Sequence, residues 1–176
     1  GTGANGKSVF LSTLLALLGS GYARPAPAGL LLEKRNEQHP TEIADLFGAR
    51  VVATIETEDG KKMAEALVKW LTGGDQLKAR RMREDFWSFR PTHKLWLAAN
   101  HKPRVKGTDH AIWRRIKLVP FDVTIPPAER DAKLPDRLKA ELPGILAWAV
   151  RGCLEWQRSG LRPPEDVEAA TGKYRH

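Results

Sequence analysis

Cysteine is almost missing from this sequence: Cys153 is the only one among 176 residues, so no internal disulfide can brace the fold. Its apolar helical surroundings predict a buried, unreactive thiol. Long apolar runs are missing too. None approaches the roughly 18 residues of a membrane-crossing helix, and no stretch has the layout of a secretory signal. The expected setting is cytoplasmic, with no membrane partner. Acidic residues are in deficit, 21 Asp+Glu against 29 Lys+Arg, for a formal net charge of +8 and an isoelectric point near 9.8. Such a balance points to a polyanionic partner or to a merely soluble basic surface, and charge alone does not separate the two. Repeats and low-complexity tracts are absent as well. What remains, 41% apolar and 28% charged residues, is the composition of a globular chain long enough to bury a core.

The most informative residues come first. Gly1, Thr2, Gly3, Ala4, Asn5, Gly6, Lys7 and Ser8 fit G-x-x-x-x-G-K-[ST] at every fixed position. Glycines let a backbone wrap a triphosphate with its N–H groups inward. Lys7 then reaches the β- and γ-phosphates, and the Ser8 hydroxyl sits on Mg²⁺. A loop of this kind hangs between a strand and a helix. The helix is present in Val9–Leu18, closed by Gly19 and Gly21. The strand is missing, because the sequence starts on the first glycine, and the chain is expected to be a piece of something longer.

Beyond the loop, Leu30–Leu32 reads as a strand or a helix end. Thr41 is expected to cap a short helix with Ile43, Leu46 and Phe47 inward. Val51–Ile55 has the β-branched, apolar character of a strand buried on both faces. Met63, Ala66, Leu67, Trp70 and Leu71 recur at helical spacing before Gly73 and Gly74. Two strands of a hairpin are expected around a basic turn, over Leu77–Arg83 and Phe86–Phe89, with Phe86 and Phe89 as hairpin core. Leu95–Ala99 predicts a second buried strand and Ile116–Val119 a third. From residue 128 onward the pattern is helical, best between Pro143 and Gly160. This alternation indicates an α/β layered core with a helical tail, in which function gathers at the carboxyl ends of the strands.

Glu56 and Glu58 follow the first buried strand. A triphosphate site needs an acid to hold Mg²⁺ through water and a base to orient the attacking water, and these two suit both tasks without the sequence assigning them. Asn100 ends the next strand, where an amide can hold the γ-phosphate or the lytic water, or simply close a turn. Arg114 and Arg115 precede the third expected strand, as a transition-state cation for a neighbouring subunit or as a surface pair. Lys78, Arg80, Arg81 and Arg83 crowd the hairpin beside aromatic residues, the combination that follows phosphates and stacks on bases in single-stranded nucleic acid. His101, Lys102, Arg104 and Lys106 form a second basic group for the same partner or for solvent.

The order of these pieces resembles the superfamily III helicases. Gly-x-x-x-Asn-Gly-Lys-Ser at 1–8 is similar to their first motif and Ala53–Asp59 to their acidic second motif. Lys69–Asp75 with Leu77–Arg80 looks like their B-prime region, Leu95–Pro103 their third motif with a sensor asparagine, and Gly107–Phe121 their arginine-finger segment. The nearest resemblance is to the C-terminal helicase domain of phage and plasmid primases, of the type shared with poxvirus primase-helicases. It covers nearly the whole chain. It implies a P-loop NTPase fold, AAA+-like, with a three-layer core, a mostly parallel sheet lacking the strand before the loop, a β-hairpin insertion and a C-terminal helical segment. Residues 1–125 would form the ATPase core and 126–176 the helical segment.

The resemblance also implies ATP and Mg²⁺ as cofactors and single-stranded DNA as partner. It implies a homo-oligomeric ring, usually a hexamer, 3′ to 5′ translocation, and a primase domain in the same parent chain within a bacterial host cell. Asn100 would be the sensor, Arg114 or Arg115 the finger, and Lys78, Arg80 and Arg81 pore contacts. Two rivals predict otherwise: a small-molecule kinase with a phosphate loop, and a DNA-binding relic without turnover.

Overall fold

The computed structural model describes residues 3–33, 40–56 and 59–175. Its centre is a parallel sheet built from β1 (Ala23–Pro25), β2 (Val51–Glu56) and β5 (Lys94–Ala99), in the order β1-β2-β5. Ala23 pairs with Val51, Val52 with Leu95, and Glu56 with Ala99. Parallel neighbours require crossover connections. The first crossover carries α2 (Pro40–Ala44), and the second carries α3 (Glu65–Thr72) and an antiparallel hairpin of β3 (Leu77–Ala79) and β4 (Trp87–Phe89).

The apolar stripe of α1 (Lys7–Tyr22) lies on the sheet, with Leu11 buried against Ala53 and Ala98 and with Leu14, Leu15 and Trp96 packed around them. Gly19 breaks the helical geometry with φ 63°, as its sequence position foretold, although helical hydrogen bonding resumes to Tyr22. The main core joins Leu30, Ile43, Leu46, Val52, Leu71, Leu77 and Ile112. Thr54 is also buried, and its hydroxyl donates to the Pro27 carbonyl at 2.9 Å, which removes the cost of an unpaired polar group.

Several expectations need correction. Pro40, not Thr41, begins α2; proline is preorganised for a first helical position, and Thr41 falls inside. Phe47 is half-exposed, its ring edge-on to Trp87 at 4.7 Å. Leu30–Leu32 is neither strand nor helix but a turn, with Leu32 bridged to Met63. Met63 precedes α3, and Ala66 faces solvent. Ile55 of β2 is 48% exposed, because the short β1 pairs only with residues 51–53 and leaves the strand's other end one neighbour.

The third strand does not form: residues 116–119 have no ladder pairing. Among the described residues no strand joins the outer edge of β5. Residues of β5 and the segment from Arg114 to Val123 line one cleft of about 1540 Å³.

A 3₁₀ turn at Pro127–Glu129 leads into α5 (Leu134–Ala140), α6 (Leu142–Ser159) and α7 (Glu165–Arg175). Helices α5 and α6 rest on α1. Cys153 is exposed, against expectation. The cause is that α6 outruns the core: only Leu142, Ile145 and Ala149 of it are half-buried, and residues 150–160 are all exposed. Trp148 and Trp156 on the same helix are likewise exposed. No helix among the described residues is long and apolar enough to cross a membrane.

Candidate functional site

The loop ahead of α1 winds through left-handed backbone: φ is 90° at Gly3, 49° at Ala4 and 83° at Gly6. Glycine carries such angles without steric cost, and successive turns of this kind aim N–H groups into an anion-binding concavity. A Cβ built on Gly3 or Gly6 meets nothing within 4 Å, so the cradle is open. Lys7 and Ser8 form the first residues of α1, at the positive end of a helix dipole. The Lys7 ammonium donates to Asn5 Oδ1 at 2.9 Å. Gly1 and Thr2 lie outside the described residues.

Glu56 closes β2 and is buried. The backbone turn at Gly29 sits beside it, where an added Cβ would stand 3.6 Å from Glu56 Oε2. Glu58 lies outside the described residues. Asn100 follows β5 directly, and its N–H donates to the Glu56 carbonyl at 3.4 Å. The parallel register therefore puts the acidic strand end and the candidate sensor side by side. Lys7, Asn100, Arg114 and Arg115 all line the cleft beside β5.

The two arginines differ. Arg115 is committed, donating from Nε to Thr72 Oγ1 at 3.1 Å and from a terminal nitrogen to the Ala111 carbonyl at 2.5 Å. Arg114 follows α4 (His110–Trp113), is exposed and uses only its backbone N–H, toward the His110 carbonyl. Asp109 caps α4 through the Ile112 N–H, and the Lys69 ammonium at 2.8 Å holds its carboxyl below the usual range, helped by that backbone N–H.

At the hairpin, Leu77, Ala79 and Phe89 are buried while Lys78, Arg80, Arg81 and Arg83 face solvent. Phe86 is 49% exposed rather than core. Lys78 Nζ and Arg80 Cζ stand 4.9 and 4.8 Å from its ring centre, and Arg81 Cζ lies 5.7 Å from the Trp87 ring. These cation–π contacts group cations around a half-exposed aromatic ring. In the second basic group Lys106 lies 3.7 Å from Glu33, His101 3.6 Å from Asp59, and Lys102 over the Tyr174 ring.

Sequence reasoning missed two groups, one half-buried and one buried. Tyr174 of α7 donates its hydroxyl to the Pro103 carbonyl and packs edge-on to Trp113 at 5.3 Å. Burial raises its pKa to about 12, so it stays a donor at any working pH. The helix thereby clasps the loop after Asn100, while Thr171 Oγ1 accepts from the Leu118 N–H.

His93 is buried at the entry to β5, with neither ring nitrogen hydrogen-bonded. Desolvation lowers its pKa from 6.5; the adjacent Lys94 adds to this, and backbone at Leu71 and Leu46 opposes it. The unfolded chain therefore takes up a proton that the fold resists. Stability should be full above pH 6.5 and decline as pH falls through the window below it. Denaturant midpoints measured across that window should drop for the wild type and flatten for His93→Gln; a flat wild-type profile would contradict the burial argument.

The parallel sheet, the left-handed loop at a helix start and the side chains at the strand ends define a mixed α/β protein with a candidate anion site. The sequence pattern of the family of unknown function DUF5906 matches residues 1–115, and the chain belongs to that family. A relative from Acanthamoeba polyphaga mimivirus named "Putative helicase" is 29% identical over 194 residues, covering 99% of this chain and 20% of that protein. A Frog virus 3 protein of the same description matches at 29% over 196 residues, again 99% and 20%. A "Putative primase" of African swine fever virus matches at 26% over 119 residues, covering 66% of this chain and 12% of that protein. This chain thus spans about a fifth or less of those relatives. Among solved structures, the apo C-terminal region of NrS-1 superposes with a TM-score of 0.60 at 13% identity, over 80% of this chain and 32% of that one. The fold is shared at that level.

Proposed function

We propose that this chain is the ATPase core of a DNA replication helicase of superfamily III, part of a phage or plasmid primase-helicase. The observation that carries the reading is the open, left-handed loop at the start of α1, with Lys7 and Asn100 lining one cleft and Asn100 bonded through its N–H to the Glu56 carbonyl. The names of the viral relatives point the same way.

In this reading the loop N–H groups and Lys7 bind the phosphates of ATP. Ser8 and Glu56 would hold Mg²⁺, which would supply charge neutralisation on the phosphate oxygens. Magnesium keeps several waters and takes few protein ligands. Glu56 or Glu58 takes the proton of the attacking water, and Asn100 orients that water against the γ-phosphate. Arg114 rather than Arg115 completes a neighbour's site in the ring, because Arg115 is already tied to Thr72 and Ala111. The basic hairpin grips single-stranded DNA in the pore, and hydrolysis moves it.

Hydrolysis of ATP, measured with and without single-stranded DNA, tests the reading. Turnover that rises with DNA is expected. Turnover indifferent to DNA would favour a small-molecule kinase, and DNA binding without turnover a relic; either would contradict it. Phe86 supplies a second check. A base stacked on its exposed ring is worth about 1–3 kcal/mol, so Phe86→Ala should weaken single-stranded DNA binding in fluorescence anisotropy by roughly 5- to 150-fold. Unchanged affinity would return the ring to a purely structural role.

A further inference from the structure

The phosphate loop is fastened at its middle to a segment more than a hundred residues away. Asn5 Nδ2 donates to the Phe121 carbonyl at 2.8 Å, and the Ile125 N–H donates to the Ala4 carbonyl at 2.8 Å. Asn5 Oδ1 accepts from the Lys7 ammonium at 2.9 Å. One carboxamide therefore holds Lys7 at one end and the 121–125 segment at the other. The segment is seated independently as well, since the Phe121 ring lies 6.1 Å from that of Phe10 on α1.

We infer that Asn5 is a positioning residue that holds Lys7 until a nucleoside triphosphate takes Lys7 away, and that it then releases the 121–125 segment. This rests on the nucleotide reading of the loop and deepens it. A triphosphate offers Lys7 anionic oxygens, and charge-assisted bonds to these outcompete a neutral amide. An amide whose oxygen bonds an ammonium is polarised and donates more strongly from its nitrogen. Once Lys7 leaves, Asn5 loses that polarisation and its orientation, and the bond to Phe121 weakens. The loosened segment leads back through residues 116–120 to Arg114 and Arg115, and forward through the 3₁₀ turn to α5, which rests on α1. Nucleotide occupancy is thus communicated to the arginine-bearing element by a side chain that needs no contact with the γ-phosphate.

Amide hydrogen exchange over residues 122–125, on the full chain, tests this alongside calorimetric titration with Mg²⁺ and the non-hydrolysable analogue AMP-PNP. Nucleotide should speed exchange at Ile125 about fivefold, the ratio corresponding to one neutral hydrogen bond. Lys7→Met should show that faster exchange with no nucleotide present. Asn5→Ala should also be fast, and should not respond to nucleotide. The Lys7→Met arm is the reading that a merely structural Asn5 would leave unmoved. Bound nucleotide with unchanged or slower exchange at 122–125, or Lys7→Met exchanging like the empty wild type, would overturn the inference alone. Titration showing no nucleotide binding would overturn the nucleotide reading and this inference with it.

Discussion

Lys7→Ala is expected to abolish ATP turnover, with kcat/KM falling by at least a factor of roughly 10² to 10³, the range for removing one preorganised group that stabilises transition-state charge. The ammonium sits at the first residue of α1, held by Asn5 beside an open loop. No second lysine or arginine occupies the described loop to substitute for it. Its stem is only half-buried and its deletion leaves α1 intact, since alanine is the strongest helix former. Loss of turnover should therefore come without a matching loss of fold, and circular dichroism and thermal midpoint should be close to wild type. A variant that hydrolyses ATP at the wild-type rate would move the chemistry away from this loop.

The second large effect is on DNA. Replacing Arg80 and Arg81 together by alanine should bring the ratio of DNA-stimulated to basal ATPase close to one. Both guanidinium groups are exposed, and both stand over aromatic rings, Arg80 on Phe86 and Arg81 on Trp87. Arg81 has a weak surface partner in Glu84 at 3.7 Å, and an exposed pair of that kind is worth little. Both cations are therefore available to phosphates at small cost. Each phosphate contact on a single strand contributes about 0.7 to the salt dependence of binding. The double variant should thus bind more weakly at every salt concentration, with a slope of log affinity on log salt shallower by about 1.4. Unchanged stimulation with an unchanged slope would remove the hairpin from the DNA path.

Much of this was legible in the sequence because it is local. Val51–Ile55 announces itself by a β-branched, apolar run and Leu95–Ala99 by an apolar one, the hairpin by its basic turn, and α1 by its leucines. The same local signal misled at Ile116–Val119. A strand needs a neighbour, and whether the edge of β5 or a cleft meets the segment is decided by the whole fold. Cys153 shows the limit of periodicity in another way. Helical spacing fixed α6 correctly, but spacing does not say how far a helix extends past the elements that would cover it.

At the site, residue types were readable and their commitments were not. Arg114 and Arg115 are equivalent as neighbours in sequence, and only the geometry of α4 sends Arg115 back onto Thr72 and Ala111. Phe86 and Phe89 look alike in sequence, yet the strand buries one while the turn exposes the other with Lys78 and Arg80 around it. The bonds from Asn5 to Phe121 and from Tyr174 to Pro103 leave no local trace, since they join residues 116 and 71 positions apart.

Unwinding is the most direct measure of the central claim. The full-length protein should be given a DNA duplex carrying a single-stranded 3′ tail, with ATP and Mg²⁺, and strand release followed by fluorescence. Release that requires ATP, fails with AMP-PNP and fails in the Lys7→Ala variant is the result expected of a replication motor built on this core. Strand release that proceeds equally without ATP, or steady ATP hydrolysis that never separates the strands, would contradict it.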